Sequence, residues 1–171
     1  MKAWMVGLAV VLVLGACATM GVTKWGENSY VTMGDDFSGY KSWTKVNHET
    51  ITGDTTGSLG PAHEGAQGFR EIYVNKTGKK VATTASGYPY PEGTIIVKES
   101  SKEKMGAIAA LTVMVKRGPN YDPANGNWEY IMTSPAFEVA AQGKVDMCIG
   151  CHTAGKDADY TFNDYYAKPM M

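Results

Sequence analysis

The chain of 171 residues has almost no net charge and very few cysteines. Its 16 Lys and Arg residues nearly balance 17 Asp and Glu residues, so there is no basic field to attract nucleic acid or anionic lipid headgroups. Three cysteines are too few, and odd in number, for a disulfide framework, so each needs its own explanation. The 44% hydrophobic content indicates one globular domain and excludes collagen, coiled coil and wholesale disorder.

The chain also lacks an apolar run of the roughly 20 residues that a transmembrane helix needs. Its N-terminal run, residues 3–14, follows Lys2 and ends in Leu14-Gly15-Ala16-Cys17, which is the plan of a cleaved signal peptide and resembles the bacterial lipobox. We therefore expect removal of residues 1–16 and lipidation of Cys17, with a signal anchor as the alternative. Ala18 after the cysteine favours the outer membrane, on the periplasmic side of the cell envelope.

The remaining chain divides into two parts. Residues 17–34 are small, polar and rich in glycine, which predicts a flexible tether behind the lipid. The folded domain is expected over residues 35–171. No internal repeat is present, so one domain accounts for this whole length.

Strand-like segments dominate that domain. Four runs rich in β-branched and aromatic residues alternate with Gly, Pro and Asn, as in an antiparallel sheet: Phe69–Val74, Thr94–Lys98, Ile108–Val115 and Trp128–Met132. An edge strand is expected near Glu49–Thr52. The predicted fold class is therefore mainly β (α+β), an antiparallel β-sheet with a few short helices.

Two short helices are expected from the sequence. Asp35 or Asp36 can cap one whose apolar face consists of Phe37, Tyr40, Trp43 and Val46. A second is expected over Ala136–Ala141, directly after Pro135.

The other two cysteines belong to Cys148-Ile149-Gly150-Cys151-His152, the C-x-x-C-H attachment signature of c-type haem. Two thiols one helical turn apart reach the two vinyl groups of one porphyrin, and the adjacent imidazole then faces the iron. We expect one covalent haem c per chain, with His152 as the metal ligand. A disulfide, or a zinc site completed by His48 or His63, is the alternative. The aromatic tail Tyr160, Phe162, Tyr165 and Tyr166 could pack over something flat.

The order of several strings around this motif resembles the cytochrome P-460 family, which includes cytochrome c′-β. The resemblance covers about residues 40–166 and rests on Tyr40-Lys41-Ser42-Trp43, Phe69–Asn75, Pro91–Glu99, Val113–Lys116 and Gly126-Asn127-Trp128. It implies a mainly antiparallel sheet that carries a C-terminal haem whose iron is open on its distal side, and a possible homodimer. Helical electron-carrying cytochromes place the motif near the N-terminus, and glycine content argues against a four-helix bundle.

Three positions carry the chemistry that the resemblance implies. In the hydroxylamine-oxidising members, a lysine that falls on Lys98 is bonded to a porphyrin carbon, and a distal-pocket arginine falls on Arg70. The distal glutamate of those members falls on Thr112, which is no base near neutral pH. Glu71 and Glu129 are the substitutes that the sequence offers. A strand-end Lys98 and a surface Arg70 are the alternatives without function.

The resemblance implies a possible hydroxylamine-oxidising haem oxidoreductase that binds hydroxylamine or nitric oxide and passes electrons to a partner cytochrome. Loss of the distal glutamate favours a second interpretation, a protein that binds nitric oxide without turnover. A simple electron carrier would need a sixth ligand. Met114 lies in an apolar strand and His48 and His63 in polar loops, so none is favoured for that role.

Overall fold

The computed structural model describes residues 36–52 and 68–162. Seven strands form one sheet: β1 Thr44–Lys45, β2 Ile51–Thr52, β3 Phe69–Val74, β4 Ile95–Ser101, β5 Ile108–Lys116, β6 Trp128–Thr133 and β7 Val139–Gly143. The helices are α1 Lys79–Thr84 and α2 Asp146–His152, with 3-10 turns at Tyr40–Ser42, Pro123–Asn125 and Thr153–Ala158. The mainly β prediction is confirmed.

Every pairing in the sheet is antiparallel, in the order β1-β3-β4-β5-β6-β7, with β2 also paired to β3. From β3 to β7 the neighbours in space are neighbours in sequence, so the centre of the sheet is a meander. Each predicted strand is present, and β4 extends three residues beyond Lys98.

Strand alternation gives the sheet two differently packed faces. One face carries a buried cluster that includes Ile72, Ile96, Met114 and Tyr130, and α2 packs against this cluster through Cys148. We call this side the pocket face. The opposite face carries a second cluster: Phe37, Tyr40, Ile95, Val97, Leu111, Val113, Val115 and Ile131.

The predicted N-terminal helix is wrong beyond its first turn. Asp36 accepts a hydrogen bond from the Ser38 amide (2.8 Å), and one 3-10 turn follows, but Trp43 is extended and β1 then pairs with β3. Because strand alternation replaces the helical period there, Val46 packs on the pocket face, whereas Phe37 packs on the opposite face.

The helix predicted over Ala136–Ala141 is also wrong. The Phe137 amide donates to the Ser134 carbonyl and the Ser134 amide to the Glu138 carbonyl, which closes a turn and leads into β7. Pairing with β6 satisfies backbone groups that β6 would otherwise leave unpaired on that side, and Phe137 and Val139 pack against the cluster on the opposite face. Tertiary pairing thus outweighs the local helix signal.

Helix α1 was not predicted from the sequence. It begins after Gly78, whose missing side chain lets the backbone pass Thr94, since a Cβ there would lie 2.3 Å from the Thr94 methyl carbon. Within the described residues, none of the helices has the length and apolar character to cross a membrane. The predicted signal peptide, Cys17 and the tether lie outside the described residues.

Candidate haem site

Helix α2 carries both thiols of the C-x-x-C-H motif. The Val145 carbonyl accepts hydrogen bonds from the amides of Cys148 (2.9 Å) and Ile149 (3.0 Å), which starts the helix immediately before the motif. Cys148 and Cys151 are three residues apart, and so lie on one side of the helix. Both are partly buried and neither forms a disulfide, so two thiols remain available for one planar group.

The last residue of α2, His152, has its ring held by a backbone carbonyl. Its Nδ1 lies 2.7 Å from the Tyr160 carbonyl oxygen. A carbonyl can only accept, so Nδ1 carries the proton and the lone pair of the neutral ring is on Nε2. Burial, together with the nearby positive charge of Lys98, lowers the pKa of His152 to about 4 despite that hydrogen bond. The imidazole is therefore neutral at physiological pH.

Two aromatic rings flank His152. The Tyr130 ring lies 5.2 Å from it and the Phe162 ring 5.5 Å, centroid to centroid. Phe162 belongs to the aromatic tail, whereas Tyr130 is a pocket-face residue whose place beside His152 was not predicted from the sequence. Tyr165 and Tyr166 lie outside the described residues.

The cross-strand register orders the pocket face into three successive rungs. The first rung is Val74, Ile96, Met114 and Tyr130; the second is Ile72, Lys98, Thr112 and Met132; the third is Arg70, Ser100 and Ala110. Successive rungs lie about 7 Å apart, because two strand residues span that distance. His152 contacts the first rung through Tyr130, and Lys98 and Arg70 follow on the next two.

Lys98 lies on the second rung, with its side chain on the pocket face. Part of its surface is accessible, yet the surrounding protein is dense enough to matter: burial first, then the neighbouring Arg70 charge, lowers the pKa of Lys98 to about 7, against an opposing influence of Cys148. An ammonium that pointed freely into water would keep its ordinary pKa, so a lysine snorkelling at the strand end does not describe this position. The structure brings Lys98 together with Cys148, His152 and Arg70.

Arg70 is more deeply buried than the sequence suggested. Its side chain is 2% exposed, on the third rung of the pocket face. The alternative of a surface arginine at a strand edge is therefore wrong. A guanidinium keeps its charge wherever it is placed, so the pocket face holds a permanent positive charge at this rung.

Thr112 lies directly opposite Lys98 across the β4–β5 pair and is partly buried. Cross-strand neighbours have Cβ atoms about 5 Å apart, so the two side chains share one patch of the face. The family resemblance placed the missing glutamate at a position that does face this patch.

Neither substitute glutamate reaches the pocket face. Glu71 pairs across the strands with Glu99, and Glu129 with Val115, so both alternate onto the opposite face. There Glu71 accepts hydrogen bonds from Asn47 (2.8 Å) and Thr50, and Glu129 forms an ion pair with Arg117. Along β3 to β6, the rungs of the pocket face contain no carboxylate.

The other candidate iron ligands lie in positions that do not favour iron binding. Met114 is 9% exposed and packs in the pocket-face cluster, on the first rung. His48 is exposed, and His63 lies outside the described residues. Over residues 36–52 and 68–162, the His, Cys, Asp and Glu side chains form no group of three that could hold a metal ion.

The residues present fit a haem c. The two thiols, the neutral imidazole whose Nδ1 donates to the Tyr160 carbonyl and the flanking aromatic rings are the donor set and packing that this group requires. The Tyr130 hydroxyl also indicates that a group binds here, because it is buried without a hydrogen-bond partner within the described residues. Cys148 lies close enough for its charge to raise the pKa of Tyr130, after burial as the main cause.

The fold and site together define a class of protein in which an antiparallel sheet carries a C-terminal c-type haem motif. A family model described as cytochrome P460 matches residues 37–163. This span is well over half of the chain, and the chain therefore belongs to the cytochrome P460 family and is a haem c protein of that kind. A comparison with curated proteins finds no match.

Proposed function

We propose that this chain is an exported monohaem cytochrome that binds hydroxylamine or nitric oxide at an open haem position, oxidises it and passes the electrons to a partner cytochrome. The observation that carries the proposal is Lys98, which faces the pocket beside Cys148 with a pKa of about 7. Membership of the cytochrome P460 family indicates that the cofactor is a haem c.

The three residues of the C-x-x-C-H motif would hold the haem. Cys148 and Cys151 would form the two thioethers, and His152 would bind the iron through Nε2 while Nδ1 donates to Tyr160. When bound, the haem supplies an iron that takes a small nitrogen ligand and accepts electrons from it. Tyr130 and Phe162 would exclude water from the side of the imidazole.

Lys98 is suited to bonding with the macrocycle. A lysine with a pKa of about 7 is substantially unprotonated at neutral pH, and only the neutral amine has the lone pair that forms a carbon–nitrogen bond. This bond would replace one N–H bond of the amine and one C–H bond of the macrocycle, and the two protons and two electrons released would require an external two-electron oxidant. Its rung is next to the one that His152 contacts through Tyr130, so the amine lies close to the motif without reaching over the imidazole. We propose that this bond tunes the haem.

Arg70 would act on the ligand or on the haem propionates. It lies one rung beyond Lys98, on the side away from Tyr130, and its burial strengthens any charge interaction it makes. Its donors can orient a polar nitrogen ligand or neutralise a propionate.

A second function is favoured by a specific observation: Thr112 stands where a base is needed, and Glu71 and Glu129 lie on the opposite face. Oxidation of hydroxylamine releases protons together with electrons, and a threonine takes up none near neutral pH. Binding of nitric oxide needs no base. A protein that captures nitric oxide without turnover is therefore the second candidate.

Spectra and mass separate the two functions. A bond from Lys98 to the porphyrin predicts a ferrous Soret band far to the red of ordinary haem c, and a haem peptide that keeps the segment around Lys98 after proteolysis. Lys98→Met should restore the ordinary band and free that segment. Lys102 is exposed and follows the same strand directly, so Lys102→Met is the matched control and should leave both unchanged.

Turnover then decides between enzyme and binding protein. The ferrous spectrum is recorded with and without nitric oxide, followed by hydroxylamine turnover with an artificial electron acceptor. Turnover that Lys98→Met abolishes supports the first function, whereas nitric oxide binding without turnover supports the second. A six-coordinate, low-spin ferrous spectrum that does not respond to nitric oxide contradicts both and leaves electron transfer.

The membrane and the redox partner form the remaining part of the proposal. We propose lipidation at Cys17, which would hold the haem domain on the periplasmic side of the outer membrane, within reach of a soluble partner cytochrome. The C-terminal haem domain would then be separated from the lipid by the tether, residues 17–34.

A further inference from the structure

A buried ion pair lies beneath the C-terminal end of the candidate site. The Lys116 Nζ lies 2.7 Å from both carboxylate oxygens of Asp159, and their side chains are only 8% and 7% exposed. The Lys116 ammonium also donates to the Gly126 carbonyl at 2.6 Å and stands 4.8 Å from the centre of the Trp128 ring. These contacts account for the three donors of the ammonium.

Asp159 joins this pair to two further segments. Its Oδ2 accepts a hydrogen bond from the Tyr90 amide at 2.7 Å, and its backbone carbonyl accepts one from Trp128 Nε1 at 2.7 Å. Asp159, which directly follows the 3-10 turn Thr153–Ala158, is thus held by β5, by β6 and by the loop that precedes β4. Charged hydrogen bonds in a dry site are the strongest of these contacts.

The backbone at this point is strained. Asp159 has φ of +54° and Tyr160 φ of +62°, two consecutive non-glycine residues in the left-handed region. Such a conformation persists only when the surroundings hold it. The Tyr160 ring packs closely against Gly126, because a Cβ at that position would lie 2.4 Å from the ring. The Tyr160 hydroxyl donates to the Ala124 carbonyl at 2.8 Å, so both contacts hold the residue that follows Asp159.

The residue next to Asp159, Tyr160, is the one whose carbonyl accepts the His152 hydrogen bond. Tyr160 follows Asp159 directly, and the left-handed turn sets the direction of its C=O toward Nδ1, 2.7 Å away. The Tyr160 amide donates to the Gly155 carbonyl at 2.8 Å, which ties the turn back to the helical segment after the motif. Lys116 and Asp159 contact neither ring nitrogen, so any influence on His152 passes through this carbonyl.

We propose that Lys116 and Asp159 form a positioning pair for the iron-binding histidine. By holding the left-handed turn, the pair keeps the Tyr160 carbonyl on Nδ1, which fixes the rotation of the imidazole and increases the electron donation of Nε2 to iron. Weakening the pair would weaken the iron–histidine bond and raise the reduction potential. The proposal rests on His152 as the proposed haem ligand and is independent of the reaction at the other haem position.

The test uses the haem-loaded protein with both buried charges removed together, Lys116→Met with Asp159→Asn, because removing one alone leaves the other buried without a partner. Resonance Raman spectroscopy of the ferrous form measures the iron–histidine stretching frequency, and redox titration measures the potential. We expect a lower and broader stretching band and a higher potential than in the wild type.

A matched control exists one residue along the chain. Arg117 pairs with Glu129 on the opposite face, so Arg117→Met with Glu129→Gln removes a neighbouring ion pair that does not contact Tyr160. The control should lower stability without moving the stretching band or the potential. Equal shifts in both double variants, or an unshifted band in the Lys116/Asp159 variant, overturn the proposal.

A milder variant covers the case in which the double variant is not recovered with haem. Trp128→Phe keeps both charges and removes the indole hydrogen bond to the Asp159 carbonyl, together with part of the ring that packs against the Lys116 ammonium. It should shift the stretching band in the same direction by a smaller amount, and an unshifted band in this variant also overturns the proposal. Loss of hydroxylamine turnover or of the Lys98 bond would leave these two readouts intact, so the two proposals fail separately.

Discussion

Lys98 and Thr112 face each other across the second rung of the pocket face, one with a titratable amine and the other with a hydroxyl. Their chemistry differs more than their surroundings do. The amine can change protonation near neutral pH because its pKa is about 7, whereas the hydroxyl cannot. At the residue scale, the proposed chemistry has a reactive lysine in place and is missing only a proton acceptor.

Thr112→Glu should therefore supply that acceptor. A carboxylate on this rung would lie beside the proposed ligand position, and general bases in suitable geometry contribute about a hundredfold or more to rate. We expect hydroxylamine turnover with an artificial acceptor to rise by about tenfold or more, allowing for imperfect placement. Thr112→Gln has the same size without the basic oxygen and should show no rise; an equal rise in both would show that proton transfer is not what limits the rate.

At the scale of elements, β3 to β6 were predictable from the sequence and their pairing register was not. Alternating β-branched and aromatic residues identified β3 to β6, because burial of both faces demands such residues. β7 was missed because Ala136–Ala141 has helical composition, and only the open side of β6 makes a strand the better solution. The register that turns Glu71 and Glu129 away from the pocket could be known only after the strands were paired.

The edge formed by β1, β2 and β3 depends on Glu71. Burial raises the pKa of Glu71, but hydrogen bonds and charge from Lys45, Thr50 and Asn47 outweigh it and hold the pKa below the ordinary value of 4.5. A carboxyl with a depressed folded pKa stabilises the fold above its unfolded pKa, and that stabilisation is lost as pH falls through the folded pKa.

Glu71→Gln should accordingly lower the free energy of unfolding at pH 7 by about 1–2 kcal/mol, the usual cost of losing charged hydrogen bonds. The deficit should shrink as pH is lowered below the ordinary carboxyl pKa. Urea unfolding of the haem-loaded protein followed by circular dichroism over a pH series measures this. The exposed Glu103→Gln serves as control; a deficit independent of pH would mean that packing, rather than the charge, is responsible.

At the scale of the whole molecule, the C-x-x-C-H motif predicted the cofactor class because its spacing has few other uses, and the family match agrees. The Lys116–Asp159 ion pair could not be predicted from the sequence, because the two residues are 43 positions apart. Lys116 ends one of the strings that carry the family resemblance, but that string gives no sign of its partner. The contact of Tyr130 with His152 likewise becomes apparent only after β6 is paired and α2 is placed over the pocket face.

The N-terminal prediction belongs to this scale too. Cys17→Ser should prevent lipidation, so that the protein moves from the membrane fraction to the soluble periplasmic fraction while its haem spectrum is unchanged. Fractionation and intact mass measure this. Ala18→Asp should keep the lipid and move the protein from the outer to the inner membrane; membrane retention of Cys17→Ser would instead indicate an uncleaved signal anchor.

The position of the motif in the chain has a consequence for biogenesis. All seven strands precede Cys148, whereas the carbonyl that orients His152 and the carboxylate that holds it come after. A chain delivered amino end first therefore presents every sheet partner before either haem thiol emerges. Assembly of the sheet therefore does not need to wait for the proposed haem attachment, and the turn that orients His152 is the last of these parts to emerge.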